Sequence, residues 1–157
     1  MMEQHELDCA LIVKPAYPLE GLLRWRSLRQ EPFVLIVPPG EASSDVTWLL
    51  SNYPFIRYER RSHGGSLVER FLQRKKCAPK ESVETDPIEA IGLLVARGLG
   101  ISVLPRTPAL SVIGSRMREI NLGADTFYRE IGLIECIDNP RAPLNGDFWD
   151  ALVAGGT

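Results

Sequence analysis

The chain of 157 residues carries 18 Lys plus Arg against 20 Asp plus Glu, a net charge of −2, with 45% apolar and 24% charged residues. This is enough for one globular domain or two small lobes, and it excludes a surface that binds nucleic acid all over, which needs a basic excess. No apolar run approaches the roughly 18 residues that span a bilayer, so no membrane partner is expected.

Cys9, Cys77 and Cys136 are odd in number, far apart and without a Cys-x-x-Cys, and the acidic start "MMEQHELDCALIV" lacks the layout of a signal peptide. Reduced thiols in a cytoplasmic protein are expected. With only His5 and His63 to assist, neither a metal site nor a cofactor is expected.

In chain order, "LDCALIV" (7–13) predicts a buried strand, and residues 22–28 predict a second short strand or ribbon. "PFVLIVPPG" predicts a strand over 33–37, fenced by prolines. Ser44 or Asp45 caps a short helix carrying Val46, Trp48, Leu49 and Leu50. "PFIRY" is the next strand. Leu67, Val68, Phe71 and Leu72 then share a helical face, and Arg74, Lys75 and Lys76 suit the negative pole at its end. "KESVE" is another strand. In "DPIEAIGLLVARG" Asp86 is placed to cap, Pro87 to open the helix and Glu89 to complete a capping box. Ile88, Ile91, Leu94 and Val95 form its apolar stripe, and Gly98 stops it. "ISVLP" is a strand ended by Pro105. This alternation predicts crossover units around a mainly parallel sheet with helices on both faces. "FYREIGLIECI" adds a late strand and "APLNGDFWDALVAG" a terminal helix.

"FIRYERRSHGGSLVERFLQ" (55–73) places four arginines, His63 and a Gly-Gly pair where a strand becomes a helix. Ligands of open parallel sheets bind beyond the carboxyl ends of strands, and a helix start favours an anion. Gly64 and Gly65 permit close backbone approach, Ser62 can cap the helix or donate to a ligand, and Arg60 and Arg61 can grip a carboxylate in two-point fashion. The competing reading is a solvated helix start whose arginines pair with Glu59 and Glu69. Thr85 and Asp86 sit at a second strand-to-helix corner, and Arg106 and Thr107 follow a third strand end. Gly64-Gly65-Ser66 lacks the Gly-x-Ser-x-Gly of a nucleophile elbow, and His63 is too near Ser66 in the chain to serve as its base, so no enzyme is expected.

"ESVETDPIEAIGLLVARGLGISVLP", together with "ELDCALIV", "EPFVLIVPPG", "FIRYERRSHGGSLVERFL" and "YREIGLIE" in that order, resembles the effector-binding domain of LysR-type transcriptional regulators over about residues 5 to 153. The resemblance implies an α/β fold of periplasmic-binding-protein type II architecture with two lobes and an effector held between them. Residues 31–124 match a complete second lobe, and residues 1–30 and 125–157 match the later part of a first lobe that is incomplete. It also implies that residues 58 to 66 face the cleft, giving Tyr58, Arg60, Arg61, Ser62, His63, Gly64, Gly65, Thr85, Asp86 and Arg106 as candidate ligand-binding residues for a small anionic metabolite. DNA contact belongs to a helix-turn-helix that this chain does not include, so the chain reads either as a fragment of a longer frame or as a truncated relative. A transport solute-binding protein of the same architecture is the alternative. Without the opening strand of the first lobe, an exposed strand edge and self-association are expected.

Overall fold

The computed structural model describes residues 7–138 and 142–155, which form two compact units. Unit one takes the described residues of 1–30 and 130–157, and unit two takes 31–129.

Unit two holds most of the core. Strand β2 (Leu23–Val37) begins in unit one and ends here, with Phe33, Leu35, Ile36 and Val37 inaccessible to solvent. It pairs antiparallel with both β5 (Ser102–Pro105) and β6 (Arg118–Asn121). Strand β3 (Phe55–Tyr58) pairs in parallel with β4 (Glu81–Thr85), and a parallel bridge from Phe55 to Ile101 sets β3 beside the start of β5. The parallel part of this unit is therefore β4, β3 and β5, while β2 runs against them. A continuous apolar run reports that a strand is covered on both faces, not which way it points, and so the mainly parallel sheet expected from sequence is a mixed one.

The helices follow their local chemistry. Helix α1 (Val46–Asn52) is capped by the Asp45 carboxylate, which accepts from the Trp48 amide at 3.0 Å. Helix α2 (His63–Arg74) buries Val68, Phe71 and Leu72. Helix α3 (Ile88–Ala96) buries Ile91 and Val95 and ends at Gly98, whose φ of 77° is the left-handed conformation that glycine accepts without strain. Its start differs from expectation: Pro87 occupies the capping position with no side-chain cap, and Asp86 caps nothing. Pro87 has an extended ψ of 115° rather than a helical one, so the helix begins one residue later than the capping-box pattern suggests. Helix α4 (Pro108–Ile113), capped by the Thr107 hydroxyl accepting from the Leu110 amide at 3.2 Å, and strand β6 are additions to the sequence reading.

In unit one, β1 (Cys9–Val13) pairs antiparallel with β7 (Tyr128–Cys136), which lies between β1 and the first half of β2. Helix α5 (Ala142–Ala154) follows. Strand β1 is at the edge and only partly covered, with Leu11 45% exposed; the buried strand expected from its composition is not found, because β7 is its one strand neighbour among the described residues. The two strands expected over 22–37 are one strand. Pro32 is accommodated where β2 passes between units, and its carbonyl still accepts from the Arg106 amide at 2.7 Å. Cys9, Cys77 and Cys136 are free thiols. Among the described residues no helix is long and apolar enough to cross a membrane, and no cluster of metal-ligating side chains occurs.

Candidate functional site: the strand-to-helix turn of unit two

The turn from β3 into α2 is fixed by its own hydrogen bonds. The Ser62 amide and hydroxyl both donate to the Glu59 carbonyl, at 3.1 and 2.7 Å, and the Ser62 oxygen accepts from the Gly65 amide at 3.0 Å. Ser62 thus acts as the helix cap. The glycines serve the same packing. A Cβ on Gly64 would lie 2.4 Å from the Tyr58 ring, and one on Gly65 would lie 1.8 Å from the Glu59 carbonyl oxygen. These glycines let α2 approach its own preceding turn closely.

The arginines divide. Arg60 is engaged through its guanidinium with Glu81 and Glu84, the latter at 3.4 Å, and through its amide with Glu84 at 3.0 Å. Arg61 is exposed. Arg106 bonds Glu119 at 2.6 Å and Asn121 at 3.2 Å, both on β6. Thr85 is half-buried, and its carbonyl accepts from the Glu59 amide at 3.1 Å. The two-point grip expected from Arg60 is therefore already taken by carboxylates of the same unit.

Near Tyr58 the structure brings Ser62, Asp86 and a cation the sequence reading passed over, Arg129 on β7, whose charge also acts on His63. Tyr58 is 6% exposed. Burial pushes its phenol pKa up, the nearby Arg129 guanidinium and the adjacent Ser62 hydroxyl work against that rise, and Asp86 adds to it. Burial also pulls the His63 pKa down, helped by the positive charges of Arg70 and Arg129, so His63 is neutral near pH 7. The Arg129 side chain is 11% exposed and bonds Glu31, itself 3% exposed, at 2.7 Å. Sequence did contain a signal for this pair: Glu31 and Arg129 are ionisable residues at the heads of two strongly apolar strand stretches, where a charge needs a partner.

Arg57 is the second residue missed. Its side chain is fully buried (0% exposed) between α2 and β4, paired with Glu69 and, at 3.8 Å, with Glu81, while its Nε and Nη1 have no hydrogen-bond partner among the described residues. Desolvating a guanidinium this incompletely satisfied offsets its ion pairing. Arg57→Met is accordingly expected to be neutral or stabilising by up to about 2 kcal/mol, and Arg57→Ala destabilising through the cavity left, as urea denaturation will measure.

A cavity of about 460 Å³ exists in unit one, lined by Ile12, Tyr17, Leu19, Leu23 and Ile134 among others. Neither Tyr58, His63 nor Arg129 lines it.

The architecture of mixed strands with covering helices is shared with solved bacterial regulatory domains. The regulatory domain of CcmR from Synechocystis PCC6803, solved in complex with 2-PG, matches with a TM-score of 0.77 and 22% identity, over 98% of this chain and 75% of that one. The effector-binding domain of QuiR with shikimate matches at 0.76 and 18%, over 99% and 74%. The bromide-bound regulatory domain of HypT from Salmonella typhimurium matches at 0.77 and 16%, over 97% and 73%. The fold is thus of the periplasmic-binding-protein type II-like α/β class. The chain belongs to the LysR substrate binding domain family, whose profile matches residues 1–156. Comparison with curated proteins gives no match. These likenesses are to regulators, and nothing among them favours the transport alternative.

Proposed function

We propose that this chain is the effector-sensing domain of a LysR-type transcriptional regulator, and that unit two receives a small anionic metabolite at the group formed by Arg129, Tyr58, His63 and the start of α2. The observation that carries this reading is the Arg129 guanidinium, nearly buried and set beside a buried phenol, a neutral imidazole and a capped helix start. A cation so desolvated interacts strongly with an incoming carboxylate, and the helix start adds its positive pole. Because Glu31 already offsets one positive charge, the group favours a ligand of low charge whose remaining polar atoms meet Tyr58 and His63. Thr85 and Asp86 border it, whereas Arg60, Arg61 and Arg106 do not act as the primary grip. A sensing role follows if the ligand has different affinities for two arrangements of the protein. The reading includes a cytoplasmic homo-oligomer and no catalytic step.

The test is a thermal-shift and calorimetric screen of small carboxylates, with shikimate and 2-PG as named probes. Binding raises the melting temperature in a concentration-dependent way. Arg129→Met is expected to weaken a responding carboxylate at least about thirtyfold, or about 2 kcal/mol, and Arg129→Lys to recover part of that loss. A carboxylate bound equally well by wild type and Arg129→Met, or no response to any carboxylate, defeats the assignment.

A further inference from the structure

We propose that Glu81 and Glu84 on β4 determine the charge class of ligand taken beside the start of α2. By occupying Arg60 they confine the site to acids with one carboxylate and turn away a second anionic group. This selection operates at the anion site proposed above and rests on that reading.

The arginine-rich turn is far less positive in the fold than along the chain. Residues 55–73 carry Arg57, Arg60, Arg61 and Arg70 against Glu59 and Glu69. The parallel pairing of β3 with β4 sets Phe55 beside Glu81, Arg57 beside Glu84 and Tyr58 beside Thr85. Both strands therefore end on the same side, and the turn into α2 leaves β3 next to the last residues of β4. The Glu59 amide donates to the Thr85 carbonyl at 3.1 Å. Arg60 is then held three ways: its guanidinium bonds Glu81 and lies 3.4 Å from Glu84, and its amide donates to Glu84 at 3.0 Å. That amide bond, with the guanidinium charge behind it, lowers the Glu84 pKa. Glu81 also meets the buried Arg57 at 3.8 Å.

This masked arginine stands beside the proposed ligand group. Arg60 follows Tyr58 by two residues and precedes Ser62, the cap of α2, by two. Asp86, just past the end of β4, acts on the Tyr58 phenol. The Arg60 side chain is 47% exposed, so a guanidinium released from β4 turns through solvent rather than through packed core. One exposed ion pair holds little, but here an incoming carboxylate has to displace two, and both acids repel whatever further negative charge it brings. The first carboxylate of a ligand meets Arg129 and escapes this cost. The second bears it.

The experiment measures, by calorimetry on this chain, the Kd of three pairs of acids matched except for a second carboxylate: butyrate and succinate, 3-hydroxybutyrate and malate, benzoate and phthalate. Wild type is expected to bind the monocarboxylate of at least one pair, and its dicarboxylate at least about tenfold more weakly. In Glu81→Gln with Glu84→Gln, where a glutamine oxygen still accepts from the Arg60 amide, that ratio is expected to narrow at least about tenfold. Glu81→Gln alone leaves the amide bond to Glu84 untouched and is expected to narrow it about threefold. Urea denaturation checks the fold of each variant. Adding Arg60→Met to the double substitution is expected to remove most of the narrowing, which a general relief of repulsion would not do. A wild type that prefers the dicarboxylate, an unchanged ratio in folded variants, or a narrowing that survives Arg60→Met overturns the proposal and leaves the anion site standing. Binding of none of the six acids by wild type defeats the anion site, and this selection with it.

Discussion

Gly65→Ala is expected to cost about 3 kcal/mol or more and to leave unit two largely unfolded in mild denaturant. The new methyl would sit 1.8 Å from the Glu59 carbonyl oxygen and 2.5 Å from its carbon. These are backbone atoms, and the turn that carries them is held at the same oxygen by the Ser62 amide and hydroxyl. No rotamer change can relieve the overlap, so α2 must back away from β3 and loosen Val68, Phe71 and Leu72 in the core. Gly146→Ala in α5 is the control: nothing lies within 4 Å of its added methyl, and the change is expected to stabilise by about 0.5–1 kcal/mol. Urea denaturation of the two variants distinguishes them, and a Gly65→Ala chain as stable as wild type would refute the packing described for this turn.

Phe33→Ala is expected to remove about 3–5 kcal/mol. Phe33 is inaccessible to solvent, and its ring stacks on Phe127 with centroids 4.3 Å apart and planes 18° off parallel. Phe127 in turn stacks on Phe71 of α2 at 5.3 Å. The loss therefore combines transfer of a large ring, a cavity next to β2, and one member of a three-ring stack that joins β2 to α2. Phe33→Leu keeps most of the volume and is expected to cost about 1–1.5 kcal/mol, the loss of ring contact alone. Since whole domains hold only about 5–15 kcal/mol, guanidinium denaturation will show Phe33→Ala near the limit of folding and Phe33→Leu well inside it. Equal losses for the two would mean that the stack contributes nothing particular.

Much of unit two was readable before any coordinates, because its signals are local. Asp45 caps α1, the Val68, Phe71 and Leu72 stripe of α2 is buried, and Gly98 closes α3 in the conformation its position suggests. What escaped reading was set by partners distant in the chain. Strand β6 is short and mixed in composition, and it forms because Ile120 and its neighbours add to β2. Helix α4 hides behind Pro105 and Pro108, which read as loop until Thr107 is seen to cap the turn. The site followed the same division. Tyr58, Ser62 and His63 of the proposed site were singled out because a strand end meeting a helix start is visible in one dimension. Arg129 and Glu31 were not, since they are 98 positions apart and only the packing of β7 beside β2 brings them together. Arg60 was chosen for its place in an arginine-rich turn, yet the carboxylates of β4 that neutralise it lie over twenty residues on.

The pairing of β1 with β7 has a consequence for how the chain acquires its structure. Lys14 and Glu130 are partners across 116 positions, and everything between them belongs to the end of one unit and all of another. A ribosome making this chain delivers β1 well before its mate β7. Residues 31–129 are contiguous, whereas β1 must wait for β7. High contact order of this kind slows folding, and a nascent strand left waiting is open to capture by neighbouring chains. Unit one thus matures after unit two, once β7 has been made.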